Sequence, residues 1–232
     1  MALEQRVFET RDALTDKLIS EISSRLSKAI AQSGKAALAV SGGRTPIDLF
    51  KGLSEVDLDW SKVVITLVDE RWVDPSDDAS NERLVREYLL TGKAARAQFI
   101  AHKGKAETPF EAEAELHQAL AELPEAITVT ILGMGEDGHT ASFFPGADAL
   151  ASAIDPSNAN DCCGIIPKTA PNPRMTLTLQ RILRSDWIVL HLTGDAKQTT
   201  LKAALAEGPV EEMPVRTVLR QHRVPVSVYW AS

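Results

Sequence analysis

Cysteine is nearly missing from this chain: there are two in 232 residues, and they are neighbours, Cys162 and Cys163. Adjacent side chains point apart, so an ordinary disulfide between them is disfavoured, and neither a zinc site nor a thioredoxin-like redox pair can be assembled from that spacing. The pair reads as two ordinary thiols near a loop, without a role, and such usage fits a reducing cytoplasm. Long apolar runs are missing as well. The most extended, residues 63–68 and 187–190, fall far short of a membrane span and are followed by polar residues, which predicts a soluble protein. The N-terminal stretch interleaves Glu4, Arg6, Glu9, Arg11 and Asp12 with its apolar residues and so lacks the uninterrupted core of a secretory signal. Basic charge is in deficit: 25 Lys and Arg stand against 32 Asp and Glu, a formal net charge of -7. That argues against a general nucleic-acid binder, which needs a basic face to neutralise phosphates. A small phosphate ligand is still admissible, because a few cations around one pocket can dominate the local field.

No composition shift, Pro/Gly/Ser-rich linker or internal repeat divides the chain, so one domain is expected over residues 1–232. Its 44% hydrophobic content suffices for a substantial core. Helical spacing of Leu14, Leu18, Ile22 and Leu26 predicts an amphipathic helix over residues 12–31, stopped by Gly34. A buried strand at 36–40 leads into the loop Ser41-Gly42-Gly43, and Pro46 stands where a helix begins. The alternation continues with a strand at 63–68, a helix at 83–90 capped from Ser80-Asn81-Glu82, a helix at 109–123 and a strand at 127–132. After a proline-rich loop stretch come strands at 175–179 and 187–192, a helix at 196–205 and an alternating segment through Val224, Val226, Val228 and Trp230. This is the pattern of an α/β domain with a largely parallel sheet flanked by helices on both faces. Ligands in such sheets sit outside the carboxyl ends of the strands, where both glycine loops fall.

The second loop runs Gly133-Met134-Gly135-Glu136-Asp137-Gly138-His139-Thr140-Ala141-Ser142-Phe143-Phe144-Pro145-Gly146. Gly133, Gly135 and Gly138 match a dinucleotide fingerprint, but that fingerprint needs a long helix starting in the loop, and Phe143-Phe144-Pro145-Gly146 interrupts any helix after about two turns. Asp137 and His139 offer another chemistry: a carboxylate can orient an imidazole, which can take a proton from water and return it to a leaving oxygen. The alternative is that Asp137 caps the following turn and His139 packs against it.

In the first loop, free amides and a helix dipole can face an anion, with Ser41, Arg44 and Thr45 as side-chain donors; the alternative is a tight βα turn with no ligand. No Walker sequence is present. Asp69-Glu70-Arg71 follows six apolar residues, which is where a sheet delivers catalytic or orienting groups, unless it is only a solvated strand end. Arg174 before a strand and Lys197 at a helix start are candidate phosphate contacts, or ordinary surface residues.

Taken in order, SGGRTP, VDERWV, SNERLVREYLL, GMGEDGHTASFFPG, PRMTLT and TGDAK resemble the 6-phosphogluconolactonases, over most of the chain. The resemblance implies the α/β fold shared with glucosamine-6-phosphate deaminases and similar to ribose-5-phosphate isomerase. It also implies hydrolysis of a phosphorylated sugar lactone without metal or cofactor, in the pentose phosphate or Entner–Doudoroff route; the sequence itself leaves the protein as a monomer or small homo-oligomer. Position by position, His139 matches the catalytic base, with Asp137 in its motif and Asp69 and Arg71 in a second active-site segment. Ser41, Gly42, Gly43, Arg44, Arg174 and Lys197 match positions around the sugar phosphate. Phe144 stands beside Pro145 where the deaminase branch has a glutamate, and a phenyl ring cannot shuttle protons. Deamination or aldose–ketose isomerisation is therefore the second expectation, and a sugar-phosphate sensor without catalysis the third.

Overall fold

Every side chain of residues 36–40 is buried, as happens where both faces of a sheet are covered. In the computed structural model, which describes residues 3–232, the chain order is β1 (Glu4–Phe8), α1 (Arg11–Ser33), β2 (Ala36–Val40), α2 (Ile47–Ser54), β3 (Val63–Leu67) and β4 (Asp69–Arg71). Then follow α3 (Asn81–Tyr88), β5 (Gln98–Ile100), α4 (Pro109–Leu120), β6 (Val129–Leu132), α5 (Leu150–Ala153) and β7 (Cys162–Ile165). The last elements are β8 (Arg174–Leu177), α6 (Leu179–Ile182), β9 (Ile188–Thr193), α7 (Asp195–Leu205), α8 (Arg216–Leu219) and β10 (Val226–Ala231). Seven strands form one sheet in the order β1-β10-β9-β6-β2-β3-β5, and every neighbouring pair is parallel. The expected α/β architecture holds.

Local chemistry explains the element ends. Thr10 accepts a hydrogen bond from the Ala13 amide at the start of α1, and Gly34 closes that helix in a left-handed conformation at φ 77°. Thr108 and Glu111 form a reciprocal capping box around Pro109 at the start of α4. Each sheet face carries its own apolar core. On one side Leu14, Leu18, Ile22 and Leu26 of α1 join Leu49 and Phe50 of α2 and Val85 of α3. On the other, Leu116 and Leu120 of α4 join Met175, Leu177, Leu201 and Val218.

Several features depart from the sequence reading. The chain leaves the main sheet at Val68, whose amide still donates to Val40 O (2.8 Å) while its carbonyl accepts from Leu177 N (2.8 Å). Asp69–Arg71 then forms an antiparallel strand in a second, three-stranded sheet of order β4-β8-β7. The three charged residues are thus not a solvated strand end: Asp69 and Glu70 are 9% and 0% exposed. Arg174 lies within β8, opposite Arg71, rather than before a strand. Cys162 and Cys163 open β7 directly after a loop, and burial, with Glu113 nearby, pushes their thiols up to about 12 and about 11, which keeps them unreactive. β1 was not foreseen; its partner β10 is more than two hundred residues away in sequence.

Candidate active site

At the carboxyl ends of β2, β6 and β9, and flanked by β4, opens a cavity of about 260 Å³. Its walls bring together Ser41, Gly42, Gly43 and Thr45 of the first loop, Asp69 and Arg71 of β4, His139 of the second loop and Lys197 of α7. Four segments far apart in sequence thus converge on one volume, because parallel strands all deliver their following loops to the same edge.

His139 is oriented by its own loop. Its Nδ1 lies 2.6 Å from Asp137 Oδ1, and its backbone amide donates to the same oxygen at 3.1 Å. With Nδ1–H donating to the carboxylate, Nε2 is left as a lone-pair acceptor. Burial pushes the Asp137 carboxyl up, but the hydrogen bonds and charge of His139 outweigh it and hold the group below its ordinary value. The loop is closed by Gly135 N donating to His139 O at 2.8 Å. A side chain at Gly135 would place its Cβ 2.1 Å from His139 Nδ1, so glycine is what lets the imidazole fold back onto Asp137. Phe144 stacks on the imidazole with centroids 4.3 Å apart, and the Arg174 guanidinium lies 5.7 Å from the centre of the Phe144 ring.

In the first loop Ser41 donates its amide and hydroxyl to Ile131 O at 3.1 and 3.0 Å, and among the described residues the amides of Gly42 and Gly43 have no acceptor. Free consecutive amides ahead of a helix are an anion-binding arrangement. Lys197 occupies the first turn of α7, half-buried and in no ion pair among the described residues.

β4 is fixed by what its carboxylates accept. Asp69 Oδ2 takes a 2.5 Å hydrogen bond from Ser142 Oγ, and the Asp69 carbonyl takes one from Asn81 Nδ2 at 2.8 Å. Glu70 turns away from the cavity and accepts the amides of Arg71, Asn81 and Glu82, each at 2.7 Å, and the Ser80 hydroxyl at 3.1 Å. A buried carboxylate at the N-terminus of α3 thereby satisfies donors that the helix itself leaves open. Burial pushes the Glu70 carboxyl up, with the amides of Asn81, Glu82 and Arg71 opposing.

Asp137, Arg44 and Arg174 lie outside the cavity lining. Asp137 stands behind His139; Arg44 is exposed on the loop. Arg174 is 6% exposed, with one guanidinium nitrogen donating to Pro171 O at 3.1 Å and Nε buried without a partner. Burial pushes its guanidinium down, with Asp69 opposing. Four polar lining residues, Asn81, Thr140, His191 and Thr193, carry no assignment from the sequence. Asn81 had been read only as a helix cap, yet its side chain fills the space beside Gly42. His191 had disappeared into an apolar strand run, where a lone histidine carries no spacing signal. Among the described residues no group of three or more His, Cys, Asp or Glu side chains is placed to hold a metal ion.

The family model described as glucosamine-6-phosphate isomerases/6-phosphogluconolactonase matches residues 9–230. The chain belongs to that family. Among its relatives is a 6-phosphogluconolactonase of Rhizobium meliloti (strain 1021), 43% identical over 231 residues that cover 100% of both chains. Another, from Pseudomonas aeruginosa, is 42% identical over 92% of this chain and 88% of its own. The crystal structure of a 6-phosphogluconolactonase from Shewanella baltica OS155 superimposes with a TM-score of 0.97 at 43% identity, covering 99% of this chain and 98% of that one. A monomeric glucosamine-6-phosphate deaminase shares the fold at TM-score 0.79, with 16% identity.

Proposed function

We propose that the chain, acting as one domain over residues 1–232, hydrolyses 6-phospho-D-glucono-1,5-lactone to 6-phosphogluconate by general-base activation of water. The observation that carries this reading is the His139–Asp137 pair at the wall of a cavity that also holds free loop amides and Lys197. Family membership and full-length relatives with this activity in their names support the reaction class.

The phosphate is held by the amides of Gly42 and Gly43, the hydroxyl of Thr45 and Lys197, while Ser41, whose hydroxyl donates to Ile131 O, fixes the loop that presents them. Arg44 at the loop rim draws the anion in, and Arg174 contributes positive charge from behind Phe144 and Asp69. Anchored so, the lactone carbonyl stands beside a water at His139 Nε2. His139 takes the water's proton as the oxygen attacks the carbonyl carbon, and Asp137 stabilises the imidazolium. Negative charge gathers on the former carbonyl oxygen, where Arg71 or loop amides offset it. As the tetrahedral intermediate collapses, the bond from the carbonyl carbon to the ring oxygen breaks and His139 returns the proton to that oxygen. Asp69 orients the substrate. No covalent intermediate is involved, since Ser41 has no nucleophile elbow and the Ser142 hydroxyl is committed to Asp69. Phe144 on the imidazole offers no second proton carrier of the kind deamination needs.

The partner is therefore a small phosphorylated sugar lactone, met in the cytoplasm by a monomer or small homo-oligomer, with no role for nucleic acid or membrane. No described helix is long and apolar enough to cross a membrane. The test is turnover of freshly generated lactone by wild type and His139→Ala, with spontaneous hydrolysis subtracted. Fast wild-type turnover that collapses in the variant is expected; a folded wild type no faster than buffer overturns the reading.

A further inference from the structure

His191 lies near the carboxyl end of β9, lines the cavity and is 5% exposed. Alternation along the strand puts it on the face of Val189, which packs with α1 and α2, and not on the face of Leu190 and Leu192. The loop after β2 crosses to α2 on that same face. β6 alone separates β2 from β9, so the imidazole and the Ser41–Thr45 loop flank one strand from two sides. Lys197 follows in the first turn of the helix that β9 leads into.

Among the described residues the ring has no partner: Nδ1 is buried without a hydrogen bond, and no side chain or carbonyl bonds to the other nitrogen. A histidine that only packed the core would gain from replacement by leucine, because a buried unpaired polar atom is costly. A proton on Nδ1 would be a buried donor with nothing to accept it. The tautomer with Nε2–H avoids that and offers its donor to the cavity. Burial pushes the imidazole down to about 4, which keeps it neutral, hence a donor without charge.

We propose that His191 is a phosphate-binding residue of this site, donating Nε2–H to a phosphate oxygen of the bound sugar phosphate beside Lys197. The inference rests on the sugar-phosphate reading above and adds to it a neutral donor that sets affinity for the phosphorylated substrate. The reacting carbon stands beside His139, which stacks on Phe144 of the opposite core, away from the α1 and α2 face that carries His191.

The experiment compares wild type, His191→Leu and His191→Gln in lactone hydrolysis and in thermal protection by inorganic phosphate. In His191→Leu, KM for the phosphorylated lactone rises about tenfold or more, kcat stays within about threefold, phosphate protection weakens, and the unfolding midpoint does not drop. His191→Gln, whose side-chain amide reaches toward the same point, keeps KM within about threefold of wild type. A His191→Leu protein with wild-type KM and wild-type phosphate protection overturns the proposal, as does a loss of kcat at unchanged KM in both variants. A wild type without lactone turnover whose phosphate protection disappears in His191→Leu sinks the lactonase reading and leaves His191 in place. Should His191→Leu not fold, the imidazole nitrogen resonances of wild-type protein decide: they shift on adding inorganic phosphate, and their failure to move overturns the assignment.

Discussion

Ser142 Oγ donates a 2.5 Å hydrogen bond to Asp69 Oδ2, tying the loop that carries His139 to the strand that carries Arg71. Both residues are buried, so the bond is shielded from water and Asp69 has little freedom to turn. Ser142→Ala removes the donor and leaves a buried carboxylate oxygen short of a partner, at about 1–3 kcal/mol. Lower kcat/KM, by about tenfold, with a reduced unfolding midpoint is the expected result of steady-state assays and a thermal melt. Unchanged kinetics in a folded variant would show that Asp69 needs no such tether.

Asp137→Asn keeps the shape of the side chain and removes its charge. The amide oxygen can still accept from His139, but the imidazolium formed during the reaction loses its counter-charge. A drop in kcat of about ten- to a hundredfold, with KM little changed, is expected in a steady-state comparison at fixed pH. A change confined to KM would place Asp137 in substrate binding instead.

Gly42 and Gly43 differ in why they are glycine. A Cβ on Gly42 would lie 1.8 Å from Asn81 Oδ1, whereas one on Gly43 meets nothing within 4 Å but requires φ 90°. Gly42→Ala must displace Asn81 and break its bond to the Asp69 carbonyl, so about 1–3 kcal/mol of stability and most of the activity should be lost together. Gly43→Ala carries backbone strain of about 1–2 kcal/mol and should shift mainly KM, through the free amides. Urea unfolding alongside kinetics separates the two.

Two histidines tie stability to pH. Burial lowers both His102 and His191 to about 4, against roughly 6.5 in an unfolded chain. A depressed folded value means that the unfolded state binds more protons between these limits. The contribution is therefore complete above about pH 6.5 and is lost as pH falls toward 4, amounting at pH 5 to about 2 kcal/mol for each ring. Glu70, pushed up by burial, acts in the opposite sense, so the variant isolates the effect better than the wild-type curve. The loss of urea stability between pH 7 and pH 5 should shrink by about 2 kcal/mol in His102→Leu; an identical slope would mean that His102 is solvated or protonated in the fold.

The parallel sheet was legible because its strands are short apolar runs framed by glycine and proline, and their periodicity survives any tertiary context. The same rule failed for Asp69–Arg71, where three charged residues form a strand whose partner β8 lies about a hundred residues further on. Burial there depends on Glu70 collecting amides from α3, a long-range exchange that leaves no periodic mark. At the cavity, the loop residues announced themselves through glycine spacing and adjacent charges. Asn81 and His191 did not, since one doubles as a cap residue and the other sits alone among aliphatic neighbours.

β10 lies between β1 and β9, and this has a consequence for biosynthesis. Residues 4–8 leave the ribosome well before residues 226–231, which make up the edge they pair with. Until translation of those residues is complete, α1 can already pack while the strand ahead of it has no neighbour, and Tyr229 cannot reach Glu21 or Arg6. A strand made early, β1, is thus seated late, and a stop codon before Val226 would leave both it and β9 without the strand that joins them.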